Sequence, residues 1–341
     1  MNATQRILAT LAGRPLDRRA VTPVLSLYGA KLTGCPLETY YRDPAAYARG
    51  QAAVHEAFRP DVLFGPFDFP SLGEAFGGEL HFFADQAPNL KRPGLPSLAE
   101  WERRPLPDPA THPLLTYYPE AIRRMVAAAG GEVPVAACLP PPIDLPILIF
   151  GMEAWLELVL FDEPAARRVL DRITPWFLEC ARLLYAAGAT FIAMPCAFVS
   201  PAILPRERTA AVMIPALTAA LARIGGPVVL HHGGAPLLAH LDLLAGLPAV
   251  VGYVNDEHDN LASARRILGS EPVMFGGPQA ARLAGMAVAE IMQQCAALLA
   301  DRRADPHFIL CNSGPDIPWP TPPENIHALR QAAEAAGGFP C

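Results

Sequence analysis

The sequence predicts a (β/α)8 TIM barrel, because short apolar runs alternate with stretches of helical character and the runs number eight in a chain of 341 residues. Each run has the length of a strand and is bounded by Pro, Gly or polar residues. Apolarity is continuous within a run, which is typical of parallel strands buried on both faces. The predicted strands are Val21–Leu27, Val62–Phe67, Val133–Leu139, Thr190–Met194, Pro227–Leu230, Ala249–Val254, Pro272–Phe275 and His307–Leu310.

A doubly wound open sheet is the alternative fold. Such a sheet is expected to carry a GxGxxG phosphate loop after its first strand. Here the first predicted strand continues into SLYGAKLTG (26–34), which lacks that motif. We therefore expect one barrel domain over residues 1–341.

Three further elements are predicted around the barrel. Residues 1–20 contain an N-terminal helix, since Asn2 and Gln5 have the spacing of a capping box. Residues 69–132 form a long insertion between the second and third strands. Its proline-rich part is expected to cross the barrel mouth, and its end to be a helix leading into the third strand. The last helix is predicted to begin after Thr321 as its N-cap.

Composition excludes several classes of partner. Hydrophobic residues make up 52% of the chain and charged residues 18%, which is ample material for a large core. The formal charge of -6 leaves no basic face for nucleic acid. Pro or acidic residues interrupt the longest apolar runs, so no membrane span is expected.

Cysteine usage and the first residues indicate the compartment. The seven cysteines, the last of them Cys341, are odd in number and scattered, with no CxxC motif. The N-terminal residues lack the apolar stretch of a signal peptide. We expect a cytoplasmic protein with free thiols.

Polar residues collect where the predicted strands end, and barrel enzymes place their chemistry at this face. Asp68 lies between Phe67 and Phe69, where a carboxylate must be paired or reactive. His231 and His232 follow the fifth strand directly. A cysteine at such a position is usually a small buried hydrophobic residue. The candidates for substrate or cofactor contacts are Tyr28, Asp144, Cys196, Glu257, Asn312 and Asp316.

Six segments, in order along nearly the whole chain, resemble the uroporphyrinogen decarboxylase superfamily. They are RILATLAGRPLDRRAVTPV (6–24), LFGPFDFPSLGEAFGGEL (63–80), PEAIRRM (119–125), AAGATFIAMPCAFVSP (186–201), VVLHHGGAP (228–236) and GPDIPWPTPPENIHAL (314–329). The superfamily includes the decarboxylase itself and methylcobalamin-dependent methyltransferases that act on coenzyme M or similar acceptors. The resemblance independently implies the barrel.

The resemblance favours the methyltransferase branch. The decarboxylase is expected to carry an RQAGR-like stretch after the first strand, where this chain has SLYGAKLTG. Its substrate-orienting aspartate corresponds to Asp68. Its tyrosine near the segment LPPPIDLPILIF (139–150) is missing, and Pro315 stands in place of its histidine.

The methyltransferase branch implies a zinc site that activates an acceptor thiol, with a His-x-Cys motif after the fifth strand and a Cys after the eighth. His231 matches the first ligand, whereas Gly233 and Pro315 stand at the cysteine positions, so the motif is degenerate. A rebuilt zinc site would use His231 and Cys311, completed by His232, Glu257, Asp316 or Cys196. We expect instead a metal-free pocket, with His231 or His232 as acid/base and Asp68 orienting the substrate.

The resemblance implies an enzyme that moves a methyl group between a methylated corrinoid and a small acceptor, such as a thiol, a folate or a methoxy-derived compound. The corrinoid is expected free or on a separate corrinoid protein. One alternative is a decarboxylase or lyase acting on a small carboxylated or tetrapyrrole substrate. A second is a non-catalytic binder of a small molecule or corrinoid. A homodimer is compatible with the composition.

Overall fold

Eight parallel strands curl into a nearly closed barrel in the structure, a computed structural model that describes residues 1–95 and 97–338. The predicted (β/α)8 architecture is confirmed. The barrel strands are β1 Val21–Thr22, β2 Leu63–Phe64, β5 Val135–Cys138, β6 Phe191–Pro195, β7 Val228–His231, β8 Val250–Val254, β9 Val273–Gly276 and β10 Phe308–Cys311. They pair in the order β1-β10-β9-β8-β7-β6-β5-β2.

The barrel closes between β1 and β2 through one buried carboxylate. The amide of Asp61 donates to the carbonyl of Val21 at 2.9 Å, and the Asp61 carboxylate accepts from the Val21 amide at 2.7 Å. The same carboxylate binds the guanidinium groups of Arg6 and Arg18, each at 2.6 Å. Asp61 therefore joins both strands to the N-terminal helix α1 (Ala3–Leu11).

The first two strands are shorter than predicted, and prolines explain both corrections. Proline has no N–H to donate to a strand ladder. Pro23 follows the last paired residue of β1, and Pro66 comes two residues after the end of β2. The other six predicted strands differ from the observed ones by at most a few residues at their ends.

Helices surround the barrel, as expected for βα units. They are α1, α2 Tyr28–Thr33, α3 Leu37–Tyr40, α4 Pro44–Phe58, α5 Pro70–Ala75, α6 Leu98–Arg103, α7 Pro113–Ala129, α8 Leu145–Phe150, α9 Met152–Phe161, α10 Glu163–Ala186, α11 Arg206–Arg208, α12 Ile214–Leu221, α13 Leu241–Leu244, α14 Leu261–Leu268, α15 Ala280–Leu283, α16 Val288–Asp301 and α17 Pro323–Ala336. Short 3-10 turns cover Ala197–Val199 and Leu238–His240, and a π-helical turn covers Thr209–Met213.

The two predicted helix caps have different outcomes. The Gln5 amide donates to the Asn2 side chain at 2.8 Å, and the Asn2 amide donates to the Gln5 side chain at 3.0 Å, so the capping box is confirmed. Thr321 as N-cap of the last helix is wrong, because α17 has Pro322 as its N-cap. Thr321 is instead buried, and its carbonyl accepts from the Tyr28 hydroxyl at 2.7 Å.

The long insertion contains α5, an antiparallel hairpin of β3 (Glu79–His81) and β4 (Asn89–Arg92), α6 and α7. The hairpin packs on α5, and the Leu95 amide just after it donates to the Ile149 carbonyl in α8 at 3.2 Å. Since α8 follows the carboxyl end of β5, this part of the insertion lies on the carboxyl-terminal side of the barrel. The sequence did not predict the hairpin, whose strand residues are exposed or half-buried.

The structure also bears on membrane spans and on disulfides. None of the helices in residues 1–95 and 97–338 combines the length and the apolar character that crossing a bilayer requires. The six cysteines in these ranges are unpaired, and Cys341 lies outside the described residues.

Candidate active site

A cavity of about 250 Å³ opens at the carboxyl-terminal end of the barrel. This is the face where barrel enzymes hold their substrates. The loops after β2, β5, β6, β7 and β10 all contribute to its wall. Its lining residues are Phe67, Phe69, Pro140, Asp144, Ile147, Leu148, Pro195, Ala197, His231, Gly233, Gly234 and Pro315.

A smaller void of about 30 Å³ continues from this cavity into the barrel interior. The two spaces share Phe67, Pro195 and His231 as lining residues. Asn312 and Cys311 line the smaller void. His231 therefore lies at the boundary between the open cavity and the barrel core.

His231 is the last residue of β7, and both of its ring nitrogens contact backbone groups. The Gly233 amide donates to Nδ1 at 3.0 Å, which leaves the ring proton on Nε2, and Nε2 donates to the Gly314 carbonyl at 3.0 Å. Burial, reinforced by the neighbouring His232, lowers the pKa of His231 to about 3. The imidazole is neutral at physiological pH, and its two polar atoms are already bonded.

His232 stacks on His231, with ring centroids 4.3 Å apart and planes inclined by 23°. Backbone amides approach both of its ring nitrogens: Gly234 at Nδ1, 3.1 Å away, and Gly314 at Nε2, 3.0 Å away. A neutral imidazole has only one acceptor nitrogen. The Asp256 carboxylate lies 3.6 Å from Nδ1 and favours the ring proton there, which leaves Nε2 to accept from Gly314. Burial lowers the pKa of His232.

The glycine after the histidine pair is required by a close backbone contact. Gly233 has a φ of 68°, and a Cβ at this position would lie 2.7 Å from the backbone nitrogen of Ala197. The loop after β7 therefore touches the 3-10 turn after β6, and any side chain at position 233 would push the two apart. The resemblance to the methyltransferases would place a zinc-binding cysteine here.

The residues present do not fit a zinc ion. Position 233 has no room for a cysteine side chain, and the ring nitrogens of His231 are bonded to the backbone. Cys311 is buried, and its burial raises the pKa of the thiol. No group of three or more His, Cys, Asp or Glu side chains suited to a metal occurs in the described part of the chain. We therefore derive no chemistry through zinc.

Asp144 and His231 are the ionisable side chains among the twelve lining residues, all of which are described. Asp144 lies just before α8 and accepts from the backbone amides of Ala197 and Phe198 at 2.6 and 3.2 Å. Its burial raises the pKa to about 7, against the opposing effect of these two bonds. Asp144 thus combines a titration range near neutrality with a place in the cavity wall.

Asp68 lies behind the cavity and not in its wall. It is fully buried, its carboxylate accepts from the Ser71 hydroxyl, and its carbonyl accepts from the Tyr118 hydroxyl at 2.7 Å. Burial raises its pKa to about 7. The neighbouring rings of Phe67 and Phe69 line the cavity, with centroids 4.7 Å apart. Asp68 is thus placed to fix the backbone that carries both rings.

Three of the predicted contact residues lie away from the cavity. Tyr28 is fully buried, and Cys196 is fully buried with a backbone amide that donates to the His231 carbonyl at 2.9 Å. The Glu257 carboxylate lies 3.5 Å from the guanidinium of Arg282. None of the three lines the cavity.

Asn312 and Asp316 fix the loop after β1. The Asn312 side chain accepts from the Val24 amide at 2.7 Å, and the Asp316 carboxylate accepts from the Leu27 amide at 2.6 Å. Burial raises the pKa of Asp316 to about 8. Both residues shape the rim from the β10 side without lining the larger cavity.

Sequence reasoning missed most of the apolar wall. Ile147 and Leu148 come from a continuous apolar segment that resembles ordinary core sequence, so no signal distinguishes them. Phe67 and Phe69 stand out in the sequence only as the apolar surroundings of Asp68. Gly314 was also missed, because its role is carried by its backbone alone.

Comparisons with known proteins agree with this architecture. No curated protein matches the chain. Its structure is similar to that of a methyltransferase from Methanosarcina mazei, with a TM-score of 0.85 and 19% identity over 98% of this chain and 99% of that one. It is also similar to a putative vitamin-B12-independent methionine synthase from Listeria monocytogenes, with a TM-score of 0.55 and 12% identity over 94% of this chain and 97% of that one. At these identities the likenesses show the fold alone.

The family comparison covers nearly the whole chain and agrees with the resemblance read from the six sequence segments. The model of the uroporphyrinogen decarboxylase (URO-D) family matches residues 2–336, and the chain therefore belongs to that family.

Proposed function

We propose that this protein is a methyltransferase that moves a methyl group from a methylated corrinoid to a small acceptor bound in the cavity around His231 and Asp144. The observation that carries the proposal is the cavity itself, a small apolar space at the carboxyl-terminal face with one carboxyl group in its wall. Membership of the URO-D family and the fold shared with the Methanosarcina methyltransferase support it.

The size of the cavity supports the proposal that it holds the acceptor. At about 250 Å³ it lies below the range of about 300–1,000 Å³ that is typical of sites for drug-sized ligands. A corrinoid is a large macrocycle and would therefore present its methyl group at the mouth. We propose that it arrives either free or on a separate corrinoid protein.

Asp144 is the residue that we propose to handle the proton. An acceptor thiol or similar group gives its proton to the Asp144 carboxylate, and its lone pair forms the new bond to the methyl carbon. The bond between cobalt and carbon breaks, and its electron pair stays on the corrinoid. A carboxyl group with a pKa of about 7 is matched to this task near neutral pH.

The histidine pair and Asp68 are proposed as positioning residues. His231 and His232 hold Gly314 next to Pro315 in the cavity wall, and Asp68 holds the segment with Phe67 and Phe69. Both ring nitrogens of His231 are bonded to the backbone, and Nε2 of His232 accepts from the Gly314 amide while its Nδ1 faces the Asp256 carboxylate. Since these groups occupy both imidazoles, we assign them no proton transfer. This differs from the acid/base role that the sequence suggests for them.

The decarboxylase alternative has less support. Substrates with several carboxylates call for cationic side chains in the site. None of the twelve lining residues, all within the described ranges, is Lys or Arg. The non-catalytic alternative is an outcome of the experiment below.

The test is incubation of the purified protein with methylcobalamin and, separately, thiol, folate and methoxy-derived compounds, while the corrin absorbance is followed. We expect acceptor-dependent demethylation with at least one class, slowed in Asp144→Asn and unchanged in Asp171→Asn, an exposed residue on α10. Lack of demethylation with every acceptor would contradict the proposal and favour a binder. Turnover of a porphyrinogen would establish the decarboxylase instead.

A further inference from the structure

A second cavity lies at the opposite end of the barrel. It has a volume of about 270 Å³ and opens at the amino-terminal ends of the strands. Ile7, Leu8 and Leu11 of α1 form one side, and Val126 and Ala129 of α7 form another. This cavity shares no lining residue with the cavity around Asp144.

All the residues that line this second cavity are among the described ones. None of them is charged, and the polar side chains among them are those of Thr4 and Thr190. The Thr4 hydroxyl is already bonded, donating to the Gly131 carbonyl at 2.8 Å. Binding a charged or strongly polar molecule here would leave its polar groups without partners, which is costly. The walls therefore select an uncharged, apolar ligand.

A protein segment is a poor occupant for the same reason. An extended segment brings backbone N–H and C=O groups that must be paired when buried. A helix pairs its own backbone groups but is about 10 Å wide, which is too large for a cavity of about 270 Å³. A compact hydrocarbon has no such requirement. The volume exceeds the roughly 150 Å³ of an engineered apolar cavity that binds benzene, so a small aromatic or a medium-length alkyl group fits.

The mouth of the cavity supports the same conclusion. Leu8 is 52% exposed and Leu11 is 43% exposed, and both line the opening. Covering apolar surface of this kind stabilises a complex by about 25 cal/mol per Å². At the inner end, Phe191, Val229 and Phe275 separate this cavity from the small void in the barrel interior.

We propose that this amino-terminal cavity binds an uncharged hydrocarbon-like small molecule. The test is a fluorescence titration of the purified full-length protein with the uncharged dye N-phenyl-1-naphthylamine. We expect one saturable site per chain. Ala129→Phe fills the cavity from α7. It is expected to raise the dissociation constant of the dye by about tenfold or more, because the new ring prevents the burial of dye surface equivalent to about two methylene groups.

Two matched variants locate the dye. Ala128→Phe places the same side chain on the neighbouring, exposed position of α7, which does not line the cavity. Ile147→Trp fills the other cavity, at the carboxyl-terminal end. Both are expected to bind the dye like the wild type, and far-ultraviolet circular dichroism verifies that each variant is folded. Loss of binding in Ile147→Trp but not in Ala129→Phe would overturn the proposal, as would unsaturable binding.

Discussion

His231 and His232 are neighbours in the chain, and their stacked rings bind opposite backbone groups of one residue, Gly314. The Nε2 atom of His231 lies 3.0 Å from the Gly314 carbonyl oxygen, and Nε2 of His232 lies 3.0 Å from the Gly314 amide nitrogen. The strand that ends at His231, β7, is separated in the sheet from β10 by β8 and β9. The histidine pair therefore joins two distant loops across the barrel mouth.

Replacing His232 by Ala is expected to destabilise the protein. The substitution removes the acceptor for the buried Gly314 amide, and an unsatisfied buried donor costs about 1–3 kcal/mol in the free energy of unfolding. Urea unfolding followed by circular dichroism measures this change. His81→Ala, an exposed position on the hairpin, is the control and is expected to have little effect. Equal stability of the two variants would argue against the role of His232.

The Asp61 carboxylate is expected to be essential for stability. It is 1% exposed and binds Arg6 and Arg18, so Asp61→Asn leaves the buried Arg18 guanidinium without its counter-ion and leaves Arg6 with Asp17 alone. Breaking a buried ion pair in this way typically costs about 3–5 kcal/mol. The control is Asp171→Asn, since Asp171 is exposed and forms no ion pair in the described part of the chain. Urea unfolding of the two variants measures the difference in their free energies of unfolding. A loss no larger than that of the control would contradict this account of barrel closure.

Asp316 is expected to make stability fall as the pH rises from about 4 to 8. Its pKa rises from 3.8 to about 8 on folding, so the folded chain binds the extra proton in this range. One such proton changes the free energy of unfolding by up to about 1.4 kcal/mol per pH unit. In Asp316→Asn the stability difference between pH 5 and pH 8 is expected to shrink. An unchanged difference in urea unfolding would show that Asp316 does not titrate in this way.

His231 is expected to stay neutral in mildly acidic solution. Burial lowers its pKa from 6.5 to about 3, whereas the exposed His258 has a raised pKa because it binds the Asp256 carboxylate. Since the unfolded chain protonates His231 first, this residue's contribution to stability is complete above pH 6.5 and is lost as the pH falls towards 3. NMR of the histidine side chains at pH 5 is expected to find His258 protonated and His231 neutral. A protonated His231 would contradict the bonding described here.

Much of the fold could be predicted from the sequence. A run of continuous apolar residues shows where a parallel strand is buried, and all eight such runs became barrel strands. The ends of the strands were less predictable, because pairing depends on the partner strand. Pro23 stops β1 by removing a donor from its ladder with β10. The exposed hairpin within the insertion has no buried face and therefore left no pattern to detect.

The candidate site was only partly predictable, for a different reason. Strand ends identify residues near the barrel mouth. His231 and Asp144, which were predicted in this way, line the cavity in the structure. The sequence cannot show which way a side chain points, so Tyr28 and Cys196 were grouped with them although both are core residues. It also cannot show that an imidazole is bonded to backbone atoms of a loop 83 residues away, as His231 is to Gly314.

The central claim is that a small acceptor is methylated in the carboxyl-terminal cavity, and variants that fill one cavity at a time test it most directly. The measurement is the kcat/KM of acceptor-dependent demethylation of methylcobalamin for the wild type, Ile147→Trp and Ala129→Phe. We expect the kcat/KM of Ile147→Trp to fall by about 100-fold, because displacing a bound reactant by about 1 Å can slow a reaction by that factor. The kcat/KM of Ala129→Phe is expected to match that of the wild type. A folded Ile147→Trp that transfers methyl groups as fast as the wild type would contradict the claim.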